Sequence, residues 1–194
     1  MPAHRLFTVT FVLLVSFAAA AARARADDHA FELSLSAGGT RLAIDGDDAL
    51  DGQWGVSVEP SFSLSPLPDT PQFRVGAGVG LAWISADIDN EFVAGQLDLF
   101  LITPELLLSW RQPVAESWYL EPGVGVGAVI GAIDFVGLDW GSGYSVRPFV
   151  RVGYQADTWS AGVEVSYRFG HLDLGDSDGD IENLTAGLFV AAKL

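Results

Sequence analysis

One pattern constrains this chain more than any other: short runs in which every second residue is apolar. In "YSVRPFVRVGY" (Tyr144–Tyr154), one row contains tyrosine, valine and proline, whereas the other contains Arg147, Phe149 and Arg151. Residues that alternate in this way fall on opposite faces of a β-strand. Because no stretch beyond residue 27 keeps a helical period for long, the pattern predicts an all-β fold.

Eight such runs follow one another, and most are about 11 residues long, close to what a tilted strand needs to cross a bilayer. The runs are FELSLSAGG (31–39), WGVSVEPSFSL (54–64), FRVGAGVGLAW (73–83), FLITPELLLSW (100–110), WYLEPGVGVGAVI (118–130), YSVRPFVRVGY (144–154), WSAGVEVSYRF (159–169) and LTAGLFVAAKL (184–194). The sequence therefore predicts an eight-stranded antiparallel up-and-down transmembrane β-barrel.

Aromatic residues at the ends of the apolar rows indicate two interfacial girdles, as membrane barrels have. With the N-terminus in the periplasm, the predicted periplasmic girdle is Trp110, Trp118, Tyr154 and Trp159, and the predicted outer girdle is Trp54, Trp83, Tyr144 and Phe169. The segments RQPVAES (111–117) and QADT (155–158) are predicted to be short turns on the periplasmic side. Longer loops are predicted near 42–53, 86–97, 131–143 and 170–183.

The second row of the runs is rich in charge and glycine, which is too polar for the core of a soluble sandwich. Five acidic and five basic residues occupy this row, so their charges can pair inside a closed interior. The predicted lumen charges are Glu32, Glu59, Arg74, Glu105, Glu121, Arg147, Arg151, Glu164, Arg168 and Lys193. We therefore predict an inverted barrel, in which arginines point inward and valines face lipid.

Four prolines interrupt the predicted strands, and each adjoins an inward charge: Pro60, Pro104, Pro122 and Pro148. A proline within a strand removes one hydrogen bond from the ladder and often marks a bulge. We therefore expect a disturbed ladder at each of them. The "GAGVG" and "GVGVG" repeats have a spacing of two and lack the spacing of a phosphate loop, so their glycines are expected to make room in a narrow lumen.

Residues 1–26 are predicted to form a signal peptide that is cleaved before Asp27. They contain a short basic start, an apolar run and an Ala-Arg-Ala cleavage site. The alternative is a membrane anchor, but the apolar run is short for a span of about 20 residues. Residues 27–194 are then one outer-membrane β-barrel domain.

Charge and cysteine content limit the possible partners of this domain. Cleavage removes Arg5, Arg23 and Arg25, which leaves 7 of the 10 basic residues against 25 acidic ones, a net charge of −18. Such a charge argues against nucleic acid as a partner. The chain has no cysteine, so it can form neither a disulfide nor a thiolate metal site.

With these features, residues 29–194 resemble the small eight-stranded outer-membrane barrels of the OmpA and OmpX type. The resemblance covers the whole predicted domain and rests on the row pattern. It implies a monomer in the cell outer membrane that contacts lipid and lipopolysaccharide and is inserted by the barrel-insertion machinery. That family usually ends in an outward-facing aromatic residue. This chain ends in Leu194, which belongs to the outward-facing row but is not aromatic.

One acidic segment, DSDGDIE (Asp176–Glu182), resembles the start of a calcium-binding loop. It departs from the helix–loop–helix pattern because Ile181 stands where that loop needs glycine. A weak Ca²⁺ or Mg²⁺ site remains possible, and its ligands would be Asp176, Asp178, Asp180 and Glu182. The alternative is a solvated acidic loop. No other cofactor is expected.

Three functional classes remain open at this point. Lipid A deacylases of the outer membrane resemble this chain in size and carry a His-x-Ser pair. Here the residue two positions after His171 is Asp173 and not serine, so no activated nucleophile is present. A small pore or hydrophobic-solute channel is the second class. Eight strands leave an interior just large enough for side chains. We therefore predict the third class, a non-enzymatic barrel with a charge-paired closed lumen and acidic extracellular loops. Its role would be envelope integrity or surface interaction.

Overall fold

A computed structural model describes residues 31–44, 52–67, 69–89, 94–134, 138–173 and 178–194. These ranges contain β-segments and turns, and within them no helix is long and apolar enough to cross a membrane. The segments are β1 (Phe31–Ile44), β2 (Gln53–Leu64), β3 (Phe73–Asp89), β4 (Ala94–Trp110), β5 (Gln112–Ala115), β6 (Trp118–Asp134), β7 (Leu138–Gln155), β8 (Trp159–Asp173) and β9 (Asp178–Lys193).

The sheet closes on itself as an antiparallel barrel. The first strand, β1, pairs with β2 on one side and with β9 on the other, where the register runs from Glu32↔Lys193 to Ile44↔Ile181. Both β4 and β5 pair with β6, one after the other, so they occupy a single strand position. The barrel therefore has eight strand positions, and the predicted fold is confirmed.

We name the two ends of the barrel by their connections. The loop end carries the connections β1–β2, β3–β4, β6–β7 and β8–β9. The turn end carries the other connections together with Phe31 and Leu194, whose backbones are joined by a hydrogen bond of 2.9 Å from the Leu194 amide to the Phe31 carbonyl. This hydrogen bond joins Leu194 to the start of β1, although Leu194 is not the aromatic residue that the resembling family usually has there.

The four prolines each interrupt one ladder without shifting its register. Beside Pro60, Pro104 and Pro148, two consecutive residue pairs are missing from the β2–β3, β4–β6 and β7–β8 ladders, and pairing then resumes in the same register. Beside Pro122, two residue pairs are likewise missing from the pairing with β6, and this gap separates β4 from β5 at Arg111. Each gap follows from the N–H that proline lacks. The ladder is disturbed as expected, but a bulge does not form at these four positions.

Several strands extend beyond the boundaries that the sequence predicted. At the loop end, β3 reaches Asp89 and β4 begins at Ala94, while β6 reaches Asp134 and β7 begins at Leu138. At the turn end, part of a predicted turn forms β5. The apolar row stops where the lipid-facing surface stops, but ladder hydrogen bonds need no apolar side chain. Strand ends were therefore predicted too early.

The exterior of the barrel is apolar and its interior carries charge. Leu106 is 71% exposed and Leu188 is 67% exposed, whereas Arg147 is only 1% exposed. An apolar surface that continues around the whole protein needs lipid to cover it. At the turn end the rings of Trp118, Tyr154 and Trp159 follow one another at centroid distances of 5.8 and 5.9 Å.

The remaining predicted girdle residues lie at the ends of the outward rows. Trp110 is exposed at the end of β4, and its register partner on β3 is Phe73. Toward the loop end, exposed outward side chains come from β2, β3, β7 and β8: Trp54, Trp83, Tyr144 and Phe169. The two sets therefore border opposite edges of the apolar exterior.

Inside the barrel, the half next to the loop end is apolar. Its buried side chains, which we call the apolar plug, are Leu42, Ala82, Ile84, Leu99, Leu101, Val129, Leu172 and Ile181. The prediction of a polar inward row is therefore wrong for this half. Leu42, Leu172 and Ile181 fell within predicted loops, so their inward orientation did not enter the interpretation of the sequence.

Candidate functional site

Arg147 is the centre of the charged half of the lumen. Its Nε donates to Glu105 Oε2 at 2.8 Å and its Nη1 to Glu164 Oε1 at 3.0 Å, and its Nη2 donates to Glu59. The three carboxylates belong to β2, β4 and β8, while the arginine belongs to β7. A single buried guanidinium thus ties four strands together across the lumen.

Arg111 forms a second centre nearer the turn end. Two of its nitrogens donate to the two carboxylate oxygens of Glu32, each at 2.8 Å, and its Nε donates to Glu121 at 2.5 Å. The guanidinium also lies 4.1 Å from the centroid of the Tyr119 ring. Arg74 Nη2 lies 3.5 Å from Glu32 Oε1, one of the two oxygens that Arg111 contacts. Bidentate pairing and ring stacking are geometries that favour arginine over lysine.

Arg151 joins the two centres, because its Nε lies 2.6 Å from Glu164 and its Nη1 lies 4.0 Å from Glu121. Arg168 is attached through Glu105 at 2.8 Å. The described part of the lumen therefore contains one continuous set of ion pairs, which we call the lumen network. Its members are Glu32, Glu59, Glu105, Glu121, Glu164, Arg74, Arg111, Arg147, Arg151 and Arg168.

Lys193 was predicted to belong to this network, and the structure places Arg111 there instead. Lys193 lies half-buried at the turn end, where its Nζ donates to the carbonyl of Ala156 at 3.1 Å. Arg111 lies in the segment RQPVAES (111–117), which was predicted to be a turn. The signal that could have identified it is parity, since Arg111 continues the inward row that contains Ser109.

Glycines of the inward rows give the network its space. A Cβ added at Gly80 would overlap the Thr103 hydroxyl and crowd Arg168, and one added at Gly125 would crowd the Glu105 carboxylate. The close approach of these side chains therefore requires glycine at both positions. At these two positions of the glycine repeats, room for neighbouring side chains is the physical reason for glycine.

Little space remains between the side chains of the lumen network. A cavity of about 20 Å³ lies among Ser36, Glu59, Gly80, Arg147 and Arg168. That volume accommodates about one water molecule. Arg151 is covered on both sides by the rings of Phe149 and Phe189, whose centroids lie 5.1 and 5.4 Å from its guanidinium carbon. The charged half of the lumen is thus filled by its own side chains.

The histidine considered for catalysis lies outside the barrel, toward the loop end. His171 Nδ1 lies 3.1 Å from Asp180 Oδ1, and the ring centroid lies 6.1 Å from that of Tyr144. Asp173, which follows on the same face of β8, is exposed. A carboxylate at this position cannot act as the nucleophile that a His-x-Ser pair would supply.

The predicted cation site lies partly within the described residues. Asp176 lies outside the described residues, and only the backbone of Asp178 is described. Asp180 and Glu182 are exposed on the outward face of β9. In the described ranges, no group of three or more histidine, cysteine or acidic side chains is placed to hold a metal ion. The weak Ca²⁺ or Mg²⁺ site remains a prediction.

Comparison with known proteins identifies the fold. No protein-family model matches the chain, and no curated protein matches it significantly. Among solved structures, Neisserial surface protein A matches with a TM-score of 0.63 at 11% identity, over 87% of this chain and 100% of that one. Ail, the attachment invasion locus protein of Yersinia pestis, matches with a TM-score of 0.52 at 14% identity, again over 87% and 100%.

The closed sheet, the lipid-facing exterior and these likenesses define the class of this protein. It has the fold of the eight-stranded β-barrels of the bacterial outer membrane. The resemblance to small eight-stranded barrels is confirmed at the level of fold, whereas the OmpA and OmpX types in particular are not singled out by the structures that match.

Proposed function

We propose that this protein is a non-enzymatic outer-membrane barrel that conducts no solute and acts through the surface of its loop end. The observation that supports the proposal is the filling of the lumen. The lumen network occupies the half next to the turn end, and the apolar plug occupies the other half with side chains no more than 5% exposed. The role would be envelope integrity or surface contact.

The test of the closed lumen is planar-bilayer conductance of the refolded protein, with a porin inserted in the same bilayers as a positive control. We expect no conductance steps from the wild type, because no part of the filled lumen described above offers a hydrated path. Heat-dependent migration on gels would show that the inserted protein is folded. Stepwise ohmic conductance from folded wild-type protein would contradict the proposal and favour the pore or hydrophobic-solute channel.

Any partner at the loop end has to bind a negatively charged surface of this protein. A second crystal structure of Ail, in complex with the heparin analogue sucrose octasulfate, matches this chain with a TM-score of 0.50 at 12% identity. That likeness shows the fold alone, and the loop-end segments of this chain are rich in aspartate: Asp45, Asp47, Asp48, Asp51, Asp87, Asp89, Asp134, Asp139, Asp173, Asp176, Asp178 and Asp180. We therefore propose contact with lipopolysaccharide phosphates through bridging divalent cations, not direct binding of a polyanion.

This proposal makes a prediction about thermal stability. Millimolar Ca²⁺ or Mg²⁺ should raise the melting temperature relative to chelator, because ions that bind the folded state stabilise it by mass action. Oxygen-only ligands favour these hard cations over transition metals. The measurement compares wild type with Asp176/Asp178/Asp180→Asn, each with calcium and with chelator. Identical melting temperatures in all four samples would leave the segment as solvated acid.

A further inference from the structure

The two halves of the lumen differ in what they can do with water. The polar half has a cavity, and near it are buried polar atoms that have no hydrogen-bond partner among the described residues: Ser145 Oγ, Arg151 Nη2 and Asn183 Nδ2. In contrast, every side chain of the apolar plug is hydrocarbon. Buried polar groups are normally satisfied by protein or by ordered water.

The cavity is suited to water by its chemistry as well as its size. Its volume of about 20 Å³ fits about one molecule. Its lining offers the hydroxyls of Ser36, Ser166 and Thr185 beside charged side chains, and it also includes Ala82 of the apolar plug. Thr185 also donates to Asn183 Oδ1 at 2.9 Å, so the cavity lies next to one of the unsatisfied amides. A polar cavity with several possible partners binds water, whereas an apolar cavity of similar size stays dry.

The boundary between the halves is a thin polar layer. Thr40 Oγ1 donates to Asn183 Oδ1 at 2.5 Å and lies 3.0 Å from Thr185 Oγ1. Two residues further along β1 is Leu42, which is fully buried in the apolar plug. Within one strand, the inward row therefore changes from hydroxyl to hydrocarbon.

From these observations we propose that the polar half of the lumen is a water-binding site continuous with the lumen network, and that the apolar plug alone is the barrier to water and ions. The inference rests on the proposed non-conducting function and locates its seal. Water in the polar half finds hydrogen-bond partners among hydroxyls and charged groups, but a packed hydrocarbon layer offers water no partner. The apolar plug is then the part of the barrel that stops water and ions.

The experiment measures proton entry into vesicles that contain a trapped pH-sensitive dye and the reconstituted protein. The test variant, Leu99→Asn/Leu101→Asn, keeps the branching and the number of non-hydrogen side-chain atoms while it introduces polar groups into the plug. The matched control, Leu67→Asn, makes the same change at an exposed side chain of the turn end, outside the plug and the cavity. We expect the plug variant to acidify the vesicles severalfold faster than wild type, and the control variant to remain at the wild-type rate.

Three outcomes separate the possibilities. Rapid proton entry with wild-type protein would overturn the proposed function itself. A wild type that does not leak, together with a folded plug variant that leaks no faster, would overturn the location of the seal while the proposed function stands. If the plug variant fails to fold, a high-resolution crystal structure of the wild type decides: ordered water beside Ser36 and Arg147 supports the proposal, and an empty cavity or water within the plug contradicts it.

Discussion

Replacing Arg147 with glutamate is expected to destabilise the barrel by roughly 3–5 kcal/mol, the cost of breaking a buried ion pair. Three carboxylates, those of Glu59, Glu105 and Glu164, share the Arg147 guanidinium. The substitution removes their common partner and adds a fourth negative charge among these buried carboxylates. The measurement is the free energy of unfolding in urea, with the protein folded in lipid vesicles.

The matched control is Arg41→Glu, the same change at an exposed arginine near the loop end. A surface substitution away from such pairs should change stability by only about 0.5 kcal/mol. Adding Glu59→Gln to Arg147→Gln should recover part of the loss, because Glu59 pairs with Arg147 and would otherwise keep a buried charge without that partner. Equal effects of Arg147→Glu and Arg41→Glu would show that the network is not buried as described.

Replacing Val150 with arginine is expected to cost about 2–4 kcal/mol, the penalty for a cation on the lipid face near the bilayer midplane. Val150 is 42% exposed and lies between Pro122 on β6 and Val165 on β8 in the ladder register. The neighbouring Arg151, one residue along the same strand, is only 4% exposed. The strand thus places a valine in lipid and an arginine in the lumen side by side.

The control for this prediction is the same substitution closer to the membrane interface. Leu120→Arg introduces the same cation two residues from Trp118, near the turn-end girdle, where the penalty should fall to about 0–1 kcal/mol. Both variants are measured by unfolding in the same vesicles. A Val150→Arg protein as stable as wild type, with Leu120→Arg also unaffected, would mean that these outward side chains face water.

The sequence was sufficient for the orientation of the side chains because alternation is a local property. The placement of Arg151 inward and Val150 outward follows from parity as soon as the charged row is recognised as an interior. The same rule was not applied to Arg111, because the segment RQPVAES (111–117) was predicted to be a turn. The missing N–H that separates β4 from β5 belongs to Pro122, on the next strand, which a reading of the local segment cannot take into account.

The apolar plug could not be predicted in the same way. Leu172 and Ile181 stand among acidic residues in the sequence, and their inward orientation follows only once strands β8 and β9 are known to extend beyond the girdle. Partner choice within the lumen is also non-local. Glu32 and Arg111 are separated by 79 positions and meet only because the barrel closes through the β1–β9 ladder.

The central claim is that this chain is an inverted barrel with its aromatic girdles in lipid. All six tryptophans of the chain are exposed, at 41–68%, so their native fluorescence reports on the surroundings of the outer surface. The decisive measurement is quenching in vesicles made from lipids brominated either near the headgroup or near the end of the acyl chain. We expect strong quenching by bromine near the headgroup and weaker quenching by bromine at the bilayer centre, since girdle tryptophans lie at the interfaces. Quenching by aqueous acrylamide alone, with no effect of either brominated lipid, would contradict the claim.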